Sequence, residues 1–532
     1  MSDNQINWML EQIKAGKLDR REFVGRAGAL GIGAAAATTM MSSAGIAAEP
    51  MQGGEVSVAG EYSGSEETFD PTKMTNGTDV QRAYQVYNRL TNLDRDMQVV
   101  PNLATEWEAT DQASVWTFKL REGVEFHDGK TMTAEDVIYS FSEHIKEGSE
   151  SPSKPLLAPI IDMEADGPNV IKFTLDSGNA DFPTTLGHDY HTSIVTTGWK
   201  DGDPVNGTGA YKLTEFEPGL ISVTEKNANY WNESAGHVNA FITQGIPDNA
   251  ARSSALRSGS VDIDPSVEPR IASLLDQDPG VNVVSTPSGS WMAWVFATDR
   301  APSDDNNVRM ALKLAVDRQN IVDNVLLGHG KVGNDFPVNP GLPTYSNDIP
   351  QHAYDPEKAK WYWDKTGLSS IELAVSNAGH TNAVDASIML QENARAAGIE
   401  INLNRVPDDG YWSHTWMQVP FCVTGWNSRP TADAILTIAL ACGGSWNETF
   451  WCSERFDELL VMGRLETDLA KRQEIYHEAC LILHDEGGVF LPFFSNYIEA
   501  TTARIQNYHG SPAFSMGAGW PYEEIWIDES QA

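Results

Sequence analysis

Positive charge is scarce in this chain. Its 532 residues include 37 Lys and Arg against 74 Asp and Glu, a formal net charge of −37. Nucleic acid is a poor partner on that ground, because phosphate binding requires a cationic face and no Lys/Arg cluster stands outside the N-terminus. An anionic membrane surface is disfavoured for the same reason. The acidity itself reads as solubility in a salty medium. Long apolar runs are also missing. A membrane span needs about 20 strongly apolar residues, and the uncharged stretch near the N-terminus, 27–41, is mostly Ala, Gly and Thr. With only four cysteines, the chain has no dense disulfide framework.

Catalytic motifs are equally thin. There is no G-x-S-x-G elbow. His477-Glu478 opens a zinc-protease-like pattern, but Leu481 stands where the second histidine belongs. Gly207-Thr208-Gly209 lacks the further glycines, the lysine and the following helix of a phosphate loop. C-x₉-C is not a zinc pair. These absences predict neither a metal, a cofactor nor an enzyme. A secreted hydrolase remains a remote alternative, since no sequence can exclude a carboxylate pair brought together by folding.

The N-terminus has a pattern of its own. Asp19-Arg20-Arg21-Glu22-Phe23-Val24 precedes the uncharged stretch and then Ala44-Gly45-Ile46-Ala47-Ala48. Paired arginines, a weakly apolar core and small residues at the end predict a twin-arginine export signal over 1–48, and a periplasmic mature protein. That compartment is oxidising. Cys442 and Cys452 bracket the polar loop GGSWNETFW and are expected to be disulfide-linked; Cys422 and Cys480 read as small buried hydrophobes.

Alternating apolar runs predict strands at 55–60, 115–121, 169–175 and 280–285. Helical periodicity marks 133–145, 308–326 and 468–486, with Thr133 and Asp136 forming an N-terminal capping pattern. Asp128-Gly129 reads as a turn. From about 300 to 495 strands and helices alternate, which predicts α/β layers with mixed sheets.

Five blocks then carry a family resemblance: LATEWEATDQASVWTFKLREGVEFHDGKTMTAEDVIYSF (103–141), DPVNGTGAYKL (203–213), NNVRMALKLAVDRQNIVDNVLLGHG (306–330), YDPEKAKWYWDKTG (354–367) and ERFDELLVMGR (454–464). In content and order they resemble the large extracytoplasmic solute-binding proteins of peptide-type ABC importers, the dipeptide/oligopeptide/nickel family 5. The resemblance implies a two-lobed periplasmic-binding-protein fold (type II, cluster C-like) with a hinge and an extra subdomain in the first lobe. Its implied divisions are lobe I at 49–90, the extra subdomain at 91–200, lobe I again at 201–303, lobe II at 304–497 and a return to lobe I at 498–532. It also implies a monomer that closes on a peptide or other small-molecule ligand and docks on permease subunits with their ATPase. An opine, an amino-acid conjugate or an oligosaccharide is the alternative ligand.

Site expectations follow from the same resemblance. Trp291, Trp294, Trp412, Trp416 and Trp426 fall where the family places its cleft, and Trp412 and Trp416 are one helical turn apart. Each is also a plausible core residue. Arg429 stands after the strand-like FCVTGW, where α/β sheets put their ligand crevices, and offers a forked donor for a carboxylate. Thr431-Ala432-Asp433 stands where many relatives have Asp-Pro-Asp, so Asp433 alone remains to capture an ammonium. An Arg429–Asp433 pair at the cleft edge is therefore expected, structural or ligand-binding. Arg89, in a stretch that also departs from relatives, is a second candidate cation, with solvent exposure as its bland alternative.

Overall fold

The computed structural model describes residues 50–531 except Ser445, and scattered positions before residue 28. Arg20, Arg21 and the expected cleavage region lie outside the described residues.

One eleven-stranded mixed sheet organises the chain. Its order is Glu400–Arg405, Ser370–Val375, Phe421–Trp426, Val281–Phe296, Val489–Thr502, Ile263–Asp264, Glu55–Gly60, Ala240–Gly245, Ile221–Lys226 and Tyr211–Glu217, with Gly330–Val332 attached to Val489–Thr502. Two strands belong to both ends of this sheet. Val281–Phe296 and Val489–Thr502 run antiparallel along their whole length. Near 281–286 they adjoin Ile263–Asp264, and at Trp291 to Phe296 they adjoin Phe421–Trp426. The ladder slips between Pro287 and Ser290. Proline has no N–H to donate, so a break in the ladder is expected there. This slip is where the chain passes from one half of the sheet to the other.

The period-two alternation of a strand decides what each half buries. Trp291, Ala293 and Val295 enter a core with Leu436, Phe456 and Leu483; Met292, Trp294 and Phe296 enter the opposite core with Leu312, Leu373 and Leu390. A separate four-stranded antiparallel sheet, ordered Ala104–Thr110, Val115–Leu120, Val170–Leu175, Ile160–Ala165, packs Phe118, Phe141, Phe173 and Phe182 together. The helix Ala134–Ile145 covers it, and the Asp136 carboxylate accepts the Thr133 N–H at 2.9 Å as the capping pattern requires.

One expected helix is two. The 308–326 periodicity divides into Asn306–Leu314 and Arg318–Asn324. Asp317 explains the break: its carboxylate accepts the Asn320 N–H at 3.0 Å and starts a new helix. Gly207 and Gly209 serve close approach. A Cβ on Gly207 would lie 1.9 Å from the Val86 carbonyl oxygen. Cys442 and Cys452 form a disulfide, and Cys422 and Cys480 are buried free thiols. Among the described residues no helix is long and apolar enough to cross a membrane.

Candidate functional site

Parallel strand segments aim their carboxyl ends at a crevice, and both halves of the sheet contain such segments. In one, Phe421–Trp426 adjoins Ser370–Val375 in parallel and leads to Arg429. In the other, Glu55–Gly60 is parallel to Ala240–Gly245 and leads directly to Glu61. Tyr497 and Glu499 sit on Val489–Thr502, two residues apart and so on one face of that shared strand.

Arg429 is half-buried and has no carboxylate within ion-pair distance among the described residues. Its Nη1 donates only to the Asn427 and Ser428 carbonyls, at 3.2 and 3.3 Å, and the guanidinium lies 5.4 Å from the Trp426 ring centroid. Burial pulls its pKa down, with Tyr497 opposing. The expected Arg429–Asp433 pair does not form. Asp433 belongs to Arg464, which donates Nε and Nη2 to its two oxygens at 2.9 and 3.0 Å. Thr431 caps the helix Ala432–Leu440 and puts Asp433 in its first turn, toward Arg464 on the neighbouring helix Glu454–Leu465.

Arg89 is buried, 5% exposed, which overturns the solvent-exposed alternative. Its Nη2 donates to Asn92 Oδ1 at 3.0 Å, its guanidinium stacks over Tyr84 at 4.6 Å, and its Nε has no partner. Arg89 and Arg429 both act on His188, at the end of the helix Phe182–His188. Burial, against the pull of Asp189 and with these two cations beside it, brings His188 down to about 4. It is therefore neutral at pH 7, and its Nε2 is buried without a partner.

The tryptophans divide. Trp294 is a core residue: it is fully buried and donates its Nε1–H to Ser387 Oγ at 2.8 Å. Trp291 is also buried, stacked on Trp426 at 5.8 Å and 9°. Trp426 and Trp416 both donate to the buried Glu448 carboxylate, Trp426 at 2.9 Å. Burial pushes the Glu448 carboxyl up, against those two indoles. Trp412 meets Trp416 edge-on at 5.5 Å and is 46% exposed, so it alone of the five presents a large free ring. Trp416 lies beyond the short helix Tyr411–His414, yet the two rings still meet.

Glu61 and Glu499 were not anticipated. Glu499 is fully buried with Oε2 unpartnered, and burial raises its pKa to about 8. Glu61 accepts from Ser266, and burial raises it too, against the Arg252 charge. Tyr497 lies within electrostatic reach of Arg429, Glu499 and Glu61.

Two halves sharing a pair of continuous strands, each half ending a parallel strand near a charged residue, have the architecture of a two-lobed binding protein. A sequence model described as bacterial extracellular solute-binding proteins, family 5 (middle), matches residues 98–447. The chain belongs to that family. It is 25% identical over 496 residues to the dipeptide-binding protein of Escherichia coli K12, covering 84% of this chain and 91% of that one. Among solved structures, HbpA2 of Haemophilus parasuis superposes with a TM-score of 0.78 at 22% identity, covering 89% of this chain and 100% of that one. DppA of Helicobacter pylori in complex with the peptide STSA gives 0.71 at 21%, with 90% and 99% covered. The fold is thus the two-lobed one of periplasmic binding proteins.

Proposed function

We propose that this protein is the periplasmic substrate-binding component of an ABC importer, and that it takes up a short peptide or a similar zwitterionic, amide-containing solute. It performs no covalent chemistry. It works as a monomer, exported by the twin-arginine route, and delivers its ligand to inner-membrane permease subunits powered by their ATPase. Family membership and the dipeptide-binding relative support the class of ligand. Lobe closure is a population shift, so a ligand drives it only by contacting both lobes better when they are closed.

The observation that carries the ligand reading is Arg429. In a chain with twice as many acids as bases it is half-buried without a carboxylate partner among the described residues, at the end of a strand. A guanidinium so placed supplies a forked donor for a ligand carboxylate. Such a contact contributes roughly 1.5–3 kcal/mol. Arg429→Ala should therefore weaken binding about ten- to a hundredfold, and Arg429→Lys should recover only part. Calorimetric titration with the ligand that co-purifies, identified by native mass spectrometry, measures this. Unchanged affinity in folded Arg429→Ala would make Arg429 a scaffold residue.

A further inference from the structure

The shared strands are one connection between the two halves, and a second, noncovalent one lies away from them. It starts in the unit built on the four-stranded sheet. That unit is inserted in the chain between Glu55–Gly60 and Tyr211–Glu217, so it belongs to the half opposite Arg429. Asp181 precedes the helix Phe182–His188, whose Phe182 and Leu186 pack in the four-stranded sheet's core. Arg472 lies near the start of Leu469–Glu486, whose Tyr476 and Leu483 share a core with Trp291 and Leu436. An aspartate at a helix start ordinarily caps that helix's own amides. Asp181 makes no such bond; its Oδ1 accepts from Arg472 Nη2 at 2.5 Å instead. The two side chains are only 8% and 12% exposed.

We propose that Asp181 and Arg472 are positioning residues, a tie across this seam on which the closed form depends and which never touches the ligand. The inference rests on the two-lobed fold and not on which ligand is bound. Three observations support it. A backbone bond crosses beside the pair, from the Ala180 N–H to the Arg464 carbonyl at 2.8 Å. The chain approaches so closely there that a Cβ on Gly178 would lie 2.6 Å from Leu465 Cδ2. Next to the pair the seam is hollow, with a cavity of about 280 Å³. Trp107, Trp116 and Pro183 wall it from one side, and Leu342, Thr431 and Leu469 from the other. Polar contacts, rather than packing, therefore join this stretch. Opening about the shared strands would hydrate both charges, whereas in the closed form each is desolvated and relies on the other. Removing one partner thus disfavours the closed form alone, and apparent affinity scales with the closed fraction. A second ion pair spans the halves, from Arg270 on Pro269–Leu275 to Asp385 on Ala383–Ala394 at 3.4 Å. Its side chains are 82% and 55% exposed, so it should matter little and serves as a control.

Hydrogen–deuterium exchange on the mature protein, with no ligand added, reads the tie at the Ala180 amide. Asp181→Asn and Arg472→Gln should each speed that exchange about tenfold, as a local opening does. Amides of Val58 and Trp294 in the main sheet should keep their rates. The double variant should do no more than either single one, because each alone abolishes the pair. Arg270→Gln should change nothing. The dipeptide alanyl-alanine should also bind both single variants about tenfold more weakly than wild type, mostly through faster dissociation, read by stopped-flow tryptophan fluorescence. Unchanged Ala180 exchange in both single variants overturns the tie. So does equal acceleration throughout the main sheet, which marks a general loss of stability. If exchange responds but alanyl-alanine affinity does not, the pair is structural and its part in binding is wrong. A wild type that does not bind alanyl-alanine counts against the peptide reading above, and the tie then stands or falls on exchange.

Discussion

Replacing Glu499 with glutamine should make this protein more stable at neutral pH, and by an amount that depends on pH. Buried Glu499 faces Glu61, Tyr497, Tyr508 and Tyr522, with the Met516 and Gly517 amides against it. Burial is the main cause of its raised pKa, about 8 against an ordinary 4.5, and Glu61 adds to the shift while the amides and Tyr508 oppose it. The native state therefore keeps a proton that the unfolded chain gives up near pH 4.5. Stability supplied by this group is complete below that pH and is lost as pH rises toward 8. Each pH unit in the window is worth about 1.4 kcal/mol, so the group alone should cost on the order of 3 kcal/mol between pH 4.5 and 7. Glutamine is isosteric with the protonated carboxyl. Its oxygen can accept the Met516 N–H, and it does not titrate. Urea unfolding of the ligand-free proteins should show wild type and Glu499→Gln within about 1 kcal/mol at pH 5. At pH 7 the variant should lead by roughly 3 kcal/mol. A gap that stays constant from pH 5 to pH 8, or a variant less stable at pH 8, would refute the reasoning.

Two further outcomes follow from other parts of the chain. Asp433→Asn removes the carboxylate from Arg464, whose side chain is 29% exposed, so the loss should be a moderate 1–2 kcal/mol or roughly that; affinity per folded molecule should stay unchanged, and a large affinity loss would return Asp433 to the ligand site. Changing both Arg20 and Arg21 to lysine should block export, as fractionation of cells would reveal, and an undiminished periplasmic yield would overturn the twin-arginine assignment.

Much of the architecture was legible from periodicity, because burial acts on single strands and helices. EVSVAG, VWTFKL and VIKFTL alternate with period two, and each is a strand in the structure. The amphipathic run after Asp468 is the helix Leu469–Glu486, with that aspartate as its cap. The joint between Asn306–Leu314 and Arg318–Asn324 was harder, since the apolar face continues across it. Only Asp317, turning its side chain back onto the Asn320 amide, reveals the stop.

The candidate site was less legible, and the reason is pairing. A sequence shows that charges exist but not which of them neutralise one another. Asp433 stands four residues from Arg429, yet its partner is Arg464, 31 positions away, because a cap at Thr431 directs the helix toward Glu454–Leu465. Trp294 and Trp291 differ by three residues on one strand, and so by face: one enters the core beneath helices, the other stacks on Trp426. Yet the rule that singled out Arg429, a charge at the carboxyl end of a strand, applies equally to Glu61 after EVSVAG. Applied to both halves of the chain, it finds the acid from the sequence alone. Glu499 could not have been found that way. It is buried in mid-strand, and only the assembled fold shows that the Met516 amide meets one of its oxygens and leaves the other without a geometrically sound donor. A charge at a strand end can be read from sequence, whereas a carboxylate left without a donor is a property of the assembled fold.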